Sequence, residues 1–373
     1  MRAARWNPSA DMDIHDLDTP ALLLDARKLA ANIARMAEIA RSGGKSLRPH
    51  VKTHKTVEIA NMQRKAGTQG ITVAKLGEAE VMASAGFDDI FVANQIVGSA
   101  KLERLLRLLD RARVIVGLDS LEVALPLSDA CTRAGVRCEC RVEVDTGLDR
   151  AGVRSVEAAL ALTEQIAELP GLRIDGLFTY EGHANAVEPV QRRAVCEQAA
   201  ATLRETACGL AERGIPVSVQ SVGSTVGAEY MAAIPSVTEL RCGNYVFHDM
   251  SQVARGASLD LCALSVLATV ISRPSPNVAI LDAGTKALSG DKAPSGSAFG
   301  RVLEEPDAVF DWANEEHGHL RLPEGGSRLR VGDKVRVVPY HACTTTNMHD
   351  EICVVEDDRV IAQWRVAARG AMR

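Results

Sequence analysis

The chain has few aromatic residues: Phe, Trp and Tyr make up only 3% of its 373 residues, with 4 tyrosines in all. A large core must therefore be filled by aliphatic side chains and alanine. Positive charge is not in excess either. The 43 Lys and Arg against 48 Asp and Glu leave a net charge of −5, so no basic field invites a nucleic-acid backbone. No apolar run reaches the roughly 18 residues that a membrane span requires, and the opening MRAARWNPSADMDIHD is too polar for a signal peptide. The nine cysteines are odd in number and scattered, without paired CxxC spacing. This excludes a disulfide scaffold and predicts a reduced, cytoplasmic enzyme-sized protein whose thiols pack as small hydrophobes. With 46% apolar and 24% charged residues, disordered-tail and fibrous classes are excluded as well.

What is present is alternation. Eight β-branched runs recur, each followed by a segment with helical periodicity: Ser46–Lys52, Gly70–Lys75, Asp89–Asn94, Arg113–Asp119, Cys140–Thr146, Ile174–Tyr180, Val217–Gly223 and Val237–Gly243. The intervening helices stop at Gly67, Gly86, Gly135 and Gly214. This grammar predicts a (β/α)8 TIM barrel over residues 26–255, with an interior of Val, Ile, Leu and Ala that suits the scarcity of aromatics. A doubly wound sheet is the alternative, but no glycine-rich fingerprint follows an early strand. From residue 256 to 373 long helical patterns vanish and short alternating runs take over, predicting an all-β C-terminal domain. The N-terminal segment 1–25 contains Ala21–Leu24 (ALLL), expected to pair into that β domain.

In such a barrel, chemistry collects at the C-terminal ends of the strands. Strand one ends in RPHVKTHK, strand five in EVDTGLDR, strand six in YEGH, strand seven in SVGST and strand eight in GNY. Gly223, Ser224 and Thr225 offer backbone N–H groups and hydroxyls at the start of a helix. Gly243 permits close backbone approach, and Tyr245 adds a donor. Together they form a candidate phosphate site in the loops after strands seven and eight, where barrels usually hold one; the plainer reading is that these glycines only turn the chain. A phosphate site across from a lysine at the end of strand one suggests pyridoxal 5′-phosphate. Two lysines compete for its aldehyde: Lys52, placed at the strand end, and Lys55, which opens the next helix. In HAC, alternate residues of an extended segment face one side, so His341 and Cys343 can share an ion, and imidazole with thiolate suits Zn²⁺ best.

These motifs occur together and in order. RPHVKTHK, VEVDTGLDRAGV, SVGST, LRCGNYVFHD, EEHG and HACTTTNMHD resemble the fold-type III pyridoxal phosphate enzymes that include D-threonine aldolase, D-serine dehydratase and 3-hydroxy-D-aspartate lyases. The resemblance implies that Lys52 carries the cofactor as a Schiff base and that Arg150 faces the cofactor's phenolic oxygen. By the same resemblance Tyr180 lies beside the pyridine ring, and Gly223, Ser224, Thr225, Gly243 and Tyr245 hold phosphate. It assigns a divalent metal to His341 and Cys343, with Zn²⁺ favoured and Mn²⁺ or Co²⁺ as alternatives. His349, Asp350 and His317 are expected to be peripheral to that site. Aldolases of the family are expected to place a histidine base a few residues after Tyr180. Ala186 stands there, leaving His183 as the nearest substitute.

The activity implied is a lyase reaction on a small D-3-hydroxy amino acid, by a homodimer that binds neither nucleic acid nor membrane. Two outcomes stay open: retro-aldol cleavage to glycine and an aldehyde, or dehydration to a 2-oxo acid and ammonia. NQIVGSAKL and NMHDEICVVEDDRV resemble the aldolase branch, whereas the His-x-Cys pair and SVGST resemble the dehydratases. A racemase of the same scaffold would need a second tyrosine base that no motif singles out. A cofactor-carrier protein would lack the C-terminal β domain.

Overall fold

The computed structural model of the chain describes residues 12–294 and 296–373, so residues 1–11 of the expected N-terminal segment lie outside it. The strands are β1 (Ala21–Asp25), β2 (Ser46–Leu47), β3 (Ile71–Val73), β4 (Asp89–Val92), β5 (Arg113–Leu118), β6 (Cys138–Glu143), β7 (Leu172–Phe178), β8 (Val219–Val222) and β9 (Glu239–Leu240), followed by β10 (Leu264–Ser275), β11 (Val278–Leu281), β12 (Gly300–Val302), β13 (Val309–Ala313), β14 (Gly318–Arg321), β15 (Lys334–Pro339), β16 (Glu351–Glu356) and β17 (Arg359–Arg365).

Two compact units emerge. One comprises Ala34–Lys52, Ile59–Gly243 and Gly370–Arg373; the other comprises the described residues up to Ile33, Thr53–Glu58 and Asn244–Arg369. The boundary expected at residue 255 therefore lies at Gly243/Asn244. The reason is local: Ala263 N–H donates to Phe247 O (2.7 Å), and the Asp249 carboxylate accepts from Ala342 N–H (2.9 Å). The stretch after Gly243 is thereby tied into the β unit.

The first unit is the predicted (β/α)8 barrel. Eight parallel strands run in the order β2-β9-β8-β7-β6-β5-β4-β3, and the bridge between His50 and Thr72 joins the two end strands. Helices Val57–Lys65, Leu76–Ser84, Ser99–Leu109, Leu121–Arg133, Val156–Ala167 and Pro189–Glu212 follow the periodicity. Their glycine stops are real turns: Gly86 (φ +86°) and Gly135 (φ +69°) adopt the left-handed conformation that closes a helix C-terminus at little steric cost. The strands are shorter than the runs suggested. Lys52 therefore belongs to a 3-10 turn, Val51–Thr53, rather than to a strand end.

The interior departs most from expectation. In place of a purely aliphatic filling, Arg48 Nε and Arg141 Nη1 donate to opposite oxygens of the buried Glu239 (2.8 and 2.5 Å). Arg48 Nη1 also reaches Asp89 (2.6 Å), and Arg141 Nε reaches Asp175 (2.6 Å). Arg241 is buried too, donating from Nε to Ser221 Oγ (2.7 Å) and from Nη2 to Thr179 O (2.5 Å). Two of the few aromatics serve this cluster. Phe91 and Phe178 meet edge to face at 5.1 Å, with Arg141 4.7 Å from the Phe91 centroid and Arg241 5.2 Å from that of Phe178. Each guanidinium of this cluster is thus matched by carboxylate, hydroxyl, carbonyl or ring, as burial in a low-dielectric interior demands.

The second unit is the expected β domain, a nine-stranded sheet along β13-β14-β11-β10-β1-β16-β17, with β15 pairing both β10 and β12. The ALLL strand does join it: β1 lies antiparallel to β10 and parallel to β16, with Leu22, Leu23 and Leu24 all buried. Strands β12 to β14 have no strong apolar run and were not foreseen. Asn314 N–H donates to His317 O (2.9 Å), so EEHG is the β13–β14 hairpin turn and His317 is an exposed turn residue. Among the described residues no helix is long and apolar enough to cross a membrane.

Candidate active site and metal pair

The segment RPH is locked before it reaches Lys52. Arg48 is fixed by Glu239 and Asp89, and His50 N–H donates to Cys242 O (3.0 Å). The 3-10 turn then presents Lys52, whose amine lies 5.9 Å from the centroid of the Tyr180 ring. The guanidinium of Arg150 lies 5.1 Å from the same centroid. Arg150 arrives on a loop shaped by Asp145, whose Oδ1 accepts from the N–H groups of Gly147, Leu148 and Asp149 (3.0, 3.0 and 3.2 Å). The loop returns through Val153 N–H to Glu143 O (2.9 Å). Burial pushes the Glu143 carboxyl up, opposed by the Gln95 amide at 2.8 Å and by Arg150 at 3.9 Å. Tyr180 can hold its place because residue 182 is glycine; a Cβ there would collide with the ring.

Lys55 is different. It is buried and donates from Nζ to Asn347 Oδ1 (2.8 Å), and its backbone carbonyl accepts from Ala368 N–H. It lies in the β unit.

His183 stands on the 3-10 turn Gly182–Asn185. Its Nδ1 is buried without a hydrogen-bond partner, and its Nε2 would meet a Cβ on Gly147 at 3.2 Å. Gly147, at φ +121°, is thus required both by its backbone and by the imidazole beside it. Ala186, at the expected histidine position, is exposed.

The SVGST loop differs from the expected cradle. Gly223 N–H and Ser224 N–H donate to the two carboxylate oxygens of Glu181 (3.1 and 2.8 Å), and Ser224 Oγ accepts from Gly227 N–H (3.0 Å). The backbone donors of Gly223 and Ser224 are therefore spent inside the loop rather than presented to an anion. Thr225 and Val226, which follow them in the turn, are half-exposed. The helix after the loop, Ala228–Ala232, is only five residues long, so its dipole adds little. Gly243 is half-buried on the barrel side, while Tyr245 is buried in the β unit.

His341 and Cys343 come together, but not by strand alternation. Strand β15 ends at Pro339, and His341 caps the short helix Ala342–Thr346, placing Cys343 on its first turn. Burial lowers the His341 pKa, but the Cys343 sulfur within hydrogen-bonding reach, with Asp249 and Asp291, outweighs it and lifts the pKa to about 9. His341 Nδ1 bonds Asp291 Oδ2 (2.6 Å), which also accepts from Thr344 Oγ1 (2.9 Å). This directs the other ring nitrogen away for a ligand. The Cys343 thiol donates to Thr53 Oγ1 (3.3 Å). Asp249 is completely buried and binds both Ala342 N–H (2.9 Å) and Asn244 Nδ2 (2.7 Å), which holds Asn244 Nδ2 4.0 Å from the Cys343 sulfur and leaves its Oδ1 buried without a partner. No third His, Cys, Asp or Glu completes a cluster among the described residues. His349 is tied by Nε2 to Ala287 O (2.8 Å), and Asp350 pairs with Arg369 (3.0 Å). Asp249, Asp291 and Asn244 escaped the sequence reading. Asp249 alone carried a local signal, as an Asp opening a short helix.

Comparison with known proteins decides the family. Residues 24–251 match the alanine racemase N-terminal domain, and residues 263–355 match a putative serine dehydratase domain. The chain is 38% identical to the D-threonine aldolase of Arthrobacter sp. over 361 residues, covering 96% of this chain and 94% of that protein. It belongs to the D-threonine aldolase/D-serine dehydratase family. Like the aldolases and dehydratases of this family, it is a lyase. A D-threo-3-hydroxyaspartate dehydratase of Delftia sp. (strain HT23) is 34% identical over 371 residues, covering 93% of this chain and 97% of that one. The crystal structure of a D-threonine aldolase from Filomicrobium marinum superposes with a TM-score of 0.91 at 32% identity, covering 98% and 99% of the two chains. Solved forms of a D-threo-3-hydroxyaspartate dehydratase include a His→Ala variant and a Cys→Ala variant two positions apart, the latter metal-free. Their spacing is that of His341 and Cys343.

Proposed function

We propose that this chain is a pyridoxal 5′-phosphate- and divalent-metal-dependent lyase that cleaves a D-3-hydroxy amino acid into glycine and an aldehyde. The observation that carries this reading is the approach of Lys52 and Arg150 to one ring, that of Tyr180, while Lys55 is occupied by Asn347. An exposed amine beside a guanidinium and a phenol suits an aldehyde cofactor with an ionised ring oxygen. The metal pair fits a soft-to-borderline ion: an imidazole oriented by a carboxylate, a thiol, and the orphaned amide oxygen of Asn244. Zn²⁺ is favoured, and Mn²⁺ and Co²⁺ are alternatives.

When bound, the cofactor supplies an electron sink at the substrate Cα and the metal a Lewis acid for the β-hydroxyl. The chain's own residues supply the rest. Lys52 Nζ would be the covalent anchor of the cofactor and the proton carrier at the substrate Cα. Arg150 holds the cofactor's ring oxygen as an anion, its own charge backed by Glu143. Tyr180 would lie beside the cofactor ring, and Thr225, Gly243 and Tyr245 would hold the phosphate, with Gly223 and Ser224 shaping the loop. His183 accepts the proton of the β-hydroxyl as the Cα–Cβ bond breaks.

Dehydration is the second reading. The His-x-Cys pair favours it, since the dehydratase variants carry the same spacing. Lys52 would then remove the α-proton, and the β-hydroxyl would leave as water, giving a 2-oxo acid and ammonia after hydrolysis. Incubating the holoenzyme with D-threonine, D-serine and D-threo-3-hydroxyaspartate separates the two. Glycine with an aldehyde supports cleavage, 2-oxo acid with ammonia supports dehydration, and neither product with Zn²⁺, Mn²⁺ or Co²⁺ supplied overturns both.

A further inference from the structure

Glu181 is a buried carboxylate in the middle of the barrel's functional face, and none of the steps above uses it. It follows Tyr180 directly, three residues beyond the end of β7. Both of its oxygens are consumed by the SVGST loop: Oε2 accepts from Gly223 N–H at 3.1 Å and Oε1 from Ser224 N–H at 2.8 Å. The loop is packed against it without slack. A Cβ on Gly227 would lie 2.8 Å from Ser224 Oγ, 3.0 Å from Cys196 Sγ and 3.1 Å from Glu181 Oε1. On the other side, a Cβ on Gly223 would stand 3.2 Å from Arg241 Cβ. Arg241, itself buried, supplies positive charge nearby.

The consequence is a sorted set of donors. The N–H groups of Gly223, Ser224 and Gly227 are turned inward. The donors left for an anion belong to Thr225 and Val226, between them in the turn. A carboxylate can accept from both inward N–H groups, whereas an amide in its place has one acceptor oxygen and confronts the second N–H with its own NH₂. Because Tyr180 and Glu181 are consecutive, the residue that fixes the loop is covalently joined to the one that meets the ring.

We propose that Glu181 is a positioning residue that presets the SVGST loop for a phosphate group, and so makes the site selective for the phosphorylated cofactor over pyridoxal. This inference rests on the cofactor reading above and deepens it. Loss of the carboxylate strands at least one of the two buried N–H groups, and the loop must rearrange to satisfy it at the expense of the phosphate-facing turn.

The test is a pair of titrations of the cofactor-free enzyme, with pyridoxal 5′-phosphate and with pyridoxal, each followed by the visible absorbance of the lysine-bound chromophore. For Glu181→Gln, affinity for pyridoxal 5′-phosphate should fall about tenfold or more, equivalent to about 1.4 kcal/mol or more, while affinity for pyridoxal stays within about twofold. Parallel loss of both affinities would mean that Glu181 only stabilises the barrel, and an unchanged preference would mean that it does not set the loop; either overturns the inference. If the unaltered enzyme develops no band with either compound, the cofactor reading itself fails, a separate result. Should Glu181→Gln not fold, Glu181→Asp, which keeps the charge but withdraws it by one methylene, is read in the same titrations.

Discussion

Asp291 Oδ2 stands 2.6 Å from Nδ1 of His341, and that contact sets which ring nitrogen is available to a metal. Carboxylate–imidazole contacts of this kind orient the ligand and raise its basicity. Replacing Asp291 with Asn should weaken metal affinity by roughly 10- to 100-fold, read by competition with a chromogenic chelator. His341→Ala should weaken it further. The metal-free protein should also hold a proton on His341 up to a pH of about 9. Metal binding at neutral pH should therefore release that proton, and calorimetry in buffers of different ionisation enthalpy counts it. Affinity that does not rise between pH 6 and 9 would contradict the assignment.

The two lysines of RPHVKTHK should separate cleanly. Lys52→Ala should abolish the visible band of the bound cofactor and all activity. Lys55→Ala should keep the band and instead lose about 1–3 kcal/mol of stability, because Asn347 Oδ1 loses its donor. Retention of the band in Lys52→Ala, with loss in Lys55→Ala, would reverse the roles given to them.

Glu239 anchors the barrel interior. Burial raises its pKa, but Arg141 and Arg48 outweigh that and hold the carboxyl at about 2, below the ordinary 4.5. A carboxylate depressed on folding stabilises the protein fully above its unfolded value, and that stabilisation is lost as pH falls through the folded one. Urea denaturation should therefore show a stability loss between pH 4.5 and about 2. Glu239→Gln should remove most of that pH dependence and cost roughly 3–5 kcal/mol at pH 7, since it leaves buried guanidinium groups short of a counter-charge.

The barrel was legible because alternation and helix periodicity repeat; helices end at Lys65, Ser84, Arg133 and Glu212, two residues before the glycines expected to stop them. ALLL was legible because three consecutive leucines need burial on both faces. What escaped notice is chemistry carried by long-range contacts. Arg141 and Glu239 look like ordinary charges in CECRVE and TEL, and only closure of the sheet brings them together. Glu181 reads as one more residue of YEGH until the chain returns 42 residues later to meet its carboxylate. The His341–Cys343 pairing was anticipated through an extended geometry that the chain does not adopt, because a helix cap and a helical turn can also face two side chains toward one point.

Strand β1 carries a consequence for how the protein is made. Its partners are β10, about 240 residues downstream, and β16, about 330 residues downstream, separations that slow pairing. During synthesis the barrel sequence emerges while ALLL still has no sheet to enter, so its three leucines stay exposed until β10 has been made, about 240 residues later. Maturation of the second unit is thus a late event, and a ribosome stalled before β10 would hold a formed barrel beside an orphaned, sticky strand.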